Sequence, residues 1–181
     1  MSDVMLDIET LSTTNNSVVL SLGAIKFNPF TLQEAHAELE CRVTIDDQTA
    51  LGRDISDSTL EWWGKQPAEV QEAAFSADGR ISAVDTCHAL NKFIVGSNKI
   101  WCQGPHFDIC ILESLFKQCG VHTNWQYYQI MDSRTLFSVH GDLRPKDRSS
   151  LHNAVEDCKA QAKAVQRTFT NLGLTKYADR F

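Results

Sequence analysis

The chain has 181 residues, room for one domain with a sizeable core and short for two. Its 43% hydrophobic and 22% charged residues match a soluble globular protein, with no apolar run near the roughly 18 residues of a membrane span. The net charge of −6 excludes a protein that coats nucleic acid by bulk attraction, but not an enzyme that binds it locally through a metal and a small basic patch. No basic leader precedes an apolar stretch, and the six scattered cysteines lack a C-x-x-C pair. They read as reduced thiols, so a cytoplasmic location is expected.

In chain order, residues 4–10, VMLDIET, predict a first strand, and the β-branched and apolar stretch 18–27 a second. After the turn at 28–30, residues 35–45 alternate well enough for a third strand, and short connections favour antiparallel pairing. From Ser58 the pattern becomes helical: a short helix, a break between Gly64 and Pro67, then another helix. Residues 81–95 predict an amphipathic helix, 98–104 a buried fourth strand, and 107–120 a helix closed by Gly120. Residues 129–133 predict a fifth strand running into a helix, and 153–173 a long last helix. The expectation is one α/β domain over residues 1–181, a mixed five-stranded sheet flanked by helices.

Side chains two apart on a strand share a face, so Asp7 and Glu9 stand side by side, about 6–7 Å apart. Such a pair is either an exposed edge or half of a cation site. Asp108 follows the fourth strand, in the turn or first helical residues, where it either complements the helix dipole or faces the strand end. Asn153 with Glu156 three residues on resembles a capping box. That puts His152 in the loop before the last helix, able to swing toward whatever Asp157 faces. Arg144, Lys146 and Arg148 form a local basic patch just before His152, where phosphate contact is plausible.

The ordered set Asp7-x-Glu9, Phe107-Asp108 and His152-x-x-x-x-Asp157 resembles the DEDD, or DnaQ-like, superfamily of 3′–5′ exonucleases in its histidine-bearing branch, DEDDh. STLEWWGKQ at 58–66 is similar to the Thr-x-x-Trp-Trp-x-x-Gln stretch of a subgroup holding DexA-type phage exodeoxyribonucleases and a bacterial exoribonuclease family. The resemblance implies a ribonuclease-H-like fold and hydrolysis of single-stranded DNA or RNA, or short oligonucleotides, to nucleoside 5′-monophosphates. It implies two divalent cations, Mg²⁺ or Mn²⁺, with Asp7 bridging both and Glu9, Asp108 and Asp157 completing their shells. Carboxylate oxygens suit such ions, and a pair of them can clamp the attacking and leaving oxygens. His152 is the implied general base. Thr10 and Leu11 are implied contacts of the terminal sugar, with the Leu11 side chain wedged between the last two bases. Trp62 and Phe107 are candidate stacking surfaces, and of the two adjacent tryptophans Trp63 is the one expected in the core. Some relatives are homodimers, so a dimer is a further expectation. The alternatives on this fold are a non-catalytic nucleic-acid-binding module and a proofreading subunit of a polymerase.

Overall fold

Alternation along β1 (Asp3–Thr10) divides its side chains between two layers. Val4, Leu6 and Ile8 are buried in one core cluster, while Met5 belongs to a second cluster on the opposite face. β2 (Val19–Phe27) pairs antiparallel with β1, and β3 (Ala37–Val43) antiparallel with β2. The structure, a computed structural model, describes residues 2–145 and 152–178. After β3 come α1 (Ile45–Ala50), α2 (Asp57–Trp63), α3 (Ala68–Phe75), β4 (Arg80–Ile81) and α4 (Ala83–Phe93). β5 (Ile100–Cys102), α5 (Asp108–Gln118), a 3₁₀ turn (Tyr127–Gln129), β6 (Ile130–Asp132), α6 (Ser133–His140) and α7 (Ala154–Asn171) complete the chain.

The sheet order is β4-β3-β2-β1-β5-β6, with β5 parallel to β1, β6 parallel to β5, and β4 parallel to β3. Side chains of α4 and α5 fill the first cluster and those of α6 and α7 the second, so helices cover both faces. On α7, Cys158, Ala162, Val165 and Phe169 recur at helical spacing and are buried. Each large apolar side chain fully buried in this way contributes about 1.5–3 kcal/mol.

Two elements differ from the sequence reading. The sheet has six strands rather than five. The extra one, β4, is two residues long, too short for a period-2 signal, and it holds Ile81, assigned above to a helix. That helix starts only after Ser82, whose side chain accepts from the Asp85 N–H as N-cap. The third strand ends at Val43, and Ile45 opens α1 instead. The fully buried Gln48 of α1 holds the end of β2, accepting from Val19 N–H and donating to its carbonyl, each at 2.8 Å. Among the described residues, no helix is long and apolar enough to cross a membrane.

Candidate active site

The β1 face that carries Met5 continues through Asp7 and Glu9 toward α7. Opposite Asp7, in register on β2, is Gly23. A Cβ there would lie 2.4 Å from Ala154 C and 2.5 Å from Val155 N, so only glycine lets the first turn of α7 lie on the strand backbone. Asn153 caps this turn, its Oδ1 accepting from Val155 N at 3.1 Å and Glu156 N at 3.0 Å. The helix start thus seats Asp157 beside β1. Gln161, one turn later on the same face, donates from Nε2 to Asp7 Oδ1 at 2.9 Å.

His152, just before the cap, has φ +64°, a left-handed conformation that costs a non-glycine residue about 1–2 kcal/mol. The turn aims its N–H at Asp157 Oδ2, 3.2 Å away. Its ring meets the Trp62 ring edge-on at 4.7 Å and lies 6.0 Å from that of Trp63. The imidazole therefore packs against two aromatic rings beside the carboxylates.

Asp7, Glu9 and Asp157 each offer an oxygen within 4.8 Å of the others. Asp108 lies outside that triangle but lines the same cavity of about 250 Å³, together with His152, Gln161 and Arg144. It enters in the first turn of α5 and is buried. Burial raises its pKa, opposed by hydrogen bonds from the backbone at Asp108 and Ile8 and by the Arg134 charge. Burial first, then the Asp108 and Glu9 charges, hold the Asp7 carboxyl well above the usual range. Burial, then Asp157 and Asp108, push Glu9 from 4.5 to about 8. A dication set among these groups removes that repulsion, and an all-oxygen donor set at this spacing fits a hard divalent cation.

The Glu9 shift gives a stability prediction. The native state holds its proton more tightly than the unfolded chain, so this contribution is complete below pH 4.5 and is lost as pH rises through about 8. The rise in melting temperature caused by Mn²⁺ should therefore grow between about pH 5 and about pH 8.5, as protons stop competing for the carboxylates. Calorimetry with Mn²⁺ and with chelator measures it. An increment that shrinks with pH contradicts the assignment.

An adjoining cavity of about 390 Å³ is lined by Glu9, Thr10, Ser58, Trp62 and Phe107 among others. Trp62 is 41% exposed there, whereas Trp63 is buried and donates from Nε1 to the Thr10 carbonyl at 3.0 Å. Leu11 is a correction. Its side chain is 2% exposed and packs with Val18, Leu20 and Trp63. Its N–H donates to the Val18 carbonyl and its own carbonyl accepts from the Ser56 N–H, so the side chain is held in the core and is not placed as a base wedge. Arg144 reaches the carboxylate cavity, bonding Gln103 Oε1 at 2.8 Å and pairing with Asp142. Lys146 and Arg148 lie outside the described residues.

Three residues at the site escaped the sequence reading. Arg134, at the start of α6, lines the cavity and donates from Nη2 to the Gln103 carbonyl at 2.8 Å. Only the sheet order, with β6 two strands from β1, brings it there. Gln161 was findable, since it lies one helical turn beyond Asp157. Gly23, the one glycine inside the β2 strand, carried the usual signal of a close backbone approach.

Sheet order, helices on both faces and an acidic cluster at the ends of β1, α5 and α7 describe an α/β protein of the ribonuclease-H-like type. The chain belongs to the 3′–5′ exoribonuclease Rv2179c-like domain family, whose model matches residues 2–169. An exodeoxyribonuclease of enterobacteria phage T4 is 30% identical over 128 residues, which span 65% of this chain and 56% of the phage protein. The match thus covers little more than half of that relative's length. Among solved structures, the cell-death related nuclease CRN-4 superposes with a TM-score of 0.61 at 16% identity, over 96% of this chain and 65% of that one. The nuclease domain of 3′hExo, a DEDDh family member bound to rAMP, gives 0.61 at 11% identity over 99% and 96% of the two chains. Exonuclease X, in complex with 5′ overhanging duplex DNA, gives 0.59 at 13% identity over 95% and 93%. At these identities the likeness is one of fold.

Proposed function

We propose that the protein is a 3′–5′ exonuclease that hydrolyses single-stranded RNA or DNA to nucleoside 5′-monophosphates, residues 1–181 acting as one domain. The observation that carries this reading is the convergence of Asp7, Glu9 and Asp157 within 4.8 Å, with Asp108 and His152 around the same cavity. Family membership and the phage relative support it. So do neighbours solved with rAMP and with 5′ overhanging DNA, which bear on the ligand class.

Asp7, Glu9, Asp108 and Asp157 would hold two divalent cations, Mg²⁺ or Mn²⁺, which when bound stabilise the negative charge that develops on the phosphoryl group and the leaving oxygen. The terminal nucleoside enters the adjoining cavity. Trp62 and Phe107 offer apolar faces for the base there, and Thr10 and Ser58 offer polar groups beside the sugar. Arg144 and Arg134 sit at the carboxylate cavity, where a guanidinium contacts the phosphate backbone without reading sequence. His152 takes a proton from the attacking water as its oxygen bonds to phosphorus and the P–O3′ bond breaks; the released 3′-oxygen is protonated from solvent. The mononucleotide leaves with its 5′-phosphate. A cytoplasmic location is supported by six free thiols, four of them buried. A homodimer belongs to the same proposal.

His152→Ala should lower the single-turnover rate by about 10²–10⁴-fold while oligonucleotide affinity changes little. The function itself is tested on linear and circular single strands of one sequence. Mononucleotide release from the linear form alone is the expected result, and cleavage of the circle contradicts an exonuclease.

A further inference from the structure

Gln161 is a buried glutamine on α7, 4% exposed. Its Nε2 donates to Asp7 Oδ1 at 2.9 Å. In this arrangement the NH₂ group faces Asp7 and the carbonyl points away from it. That carbonyl oxygen, Oε1, is buried and has no partner among the described residues. Another buried glutamine shows the contrast: Gln48 accepts with Oε1 and donates with Nε2 to the backbone of β2 and α1. That residue is structural and fully used. Gln161 lines the carboxylate cavity with half of its amide uncommitted.

Resting on the exonuclease reading, we propose that Gln161 is a positioning residue for the divalent cation. Its N–H fixes which Asp7 oxygen is free for the ion, and its carbonyl accepts a hydrogen bond from water in the ion's hydration shell. Mg²⁺ and Mn²⁺ keep several waters when carboxylates bind them, and water polarised by a dication is a strong donor. The orphaned acceptor thus gains a partner when the ion binds. Groups that orient metal ligands in this way typically change affinity by about 10–100-fold when removed.

The experiment titrates metal-free full-length protein with Mn²⁺, reading the free ion by electron paramagnetic resonance, and records melting curves alongside. Gln161→Leu is expected to bind Mn²⁺ about 10–100-fold more weakly while its metal-free melting temperature is equal to or above wild type. A merely structural glutamine gives the reverse: a lower metal-free melting temperature and unchanged affinity. Gln161→Glu keeps the shape and the acceptor but sets a carboxylate against Asp7. Its metal-free melting temperature should fall at alkaline pH, and its gain on adding Mn²⁺ should exceed that of wild type. Wild-type Mn²⁺ affinity in Gln161→Leu overturns the inference alone, as does an unchanged Mn²⁺ increment in Gln161→Glu. Failure of the wild-type protein to bind Mn²⁺ overturns the metal-dependent reading and this inference with it.

Discussion

Asp7→Asn is expected to cut hydrolysis by more than about 10³-fold, beyond the 10²–10³ that follows loss of a single transition-state contact in other enzymes. The substitution is nearly isosteric, and the Asn side-chain oxygen can still accept from Gln161. What disappears is one negative charge within the cluster, and with it one carboxylate donor of the proposed cation site. The same change should raise stability without metal. Burial and the Asp108 and Glu9 charges oppose ionisation of Asp7, so a neutral group there relieves the native state at neutral and alkaline pH. Activity lost together with an equal or higher metal-free melting temperature, read by oligonucleotide hydrolysis and calorimetry, is the expected pair. Activity within about tenfold of wild type would remove Asp7 from the cation site, given that a single ligand-orienting group already matters by 10–100-fold.

Gly23→Ala has the second largest expected effect, and it acts without touching the chemistry. The added methyl carbon would sit 2.4, 2.5 and 2.6 Å from backbone atoms of Ala154 and Val155. Backbone cannot rotate aside as a side chain does, so the start of α7 must lift by about an ångström to reach ordinary contact, which begins at 3.4 Å. His152 and Asp157 ride on that turn. A displacement of about 1 Å at a reacting constellation costs about 10²-fold in rate. Overpacking of this kind also costs about 1–3 kcal/mol of stability, or roughly 2–12 °C in melting temperature for a chain of this size. Rate and melting temperature measured on the purified variant check both figures. A variant with wild-type values for both would mean that α7 is not seated on β2 as described.

The contrast between these residues shows what could be read from the sequence. Asp7 and Glu9 sit two apart on a strand, so local geometry alone places them on one face. Asp108 at a helix start and Asp157 after a capped turn are likewise local facts, and the tertiary fold only had to bring three chain segments to one end of the sheet. Leu11 was misread because its place is decided by contacts with Val18, Leu20 and Trp63, two of which come from the next segment and one from a distant helix. Arg134 was passed over for the same reason: its neighbours at the site follow from β5 lying beside β1 and β6 beside β5. β4 escaped because two residues carry no period; it pairs with β3, and the Arg80 side chain also reaches the Leu20 and Val43 carbonyls. The left-handed turn at His152 had no marker, since glycine or asparagine is the residue type that announces such a backbone.

The most direct measurement of the central claim uses RNA and DNA oligonucleotides of one sequence, labelled at the 5′ end and incubated with Mn²⁺, with Mg²⁺ or with chelator. Wild-type protein and Asp7→Asn are run side by side. A ladder of products shortened from the 3′ end is expected with a divalent ion present, and none with chelator or with the variant. Shortening that survives both chelator and Asp7→Asn, or no shortening of either strand under any condition, would contradict it.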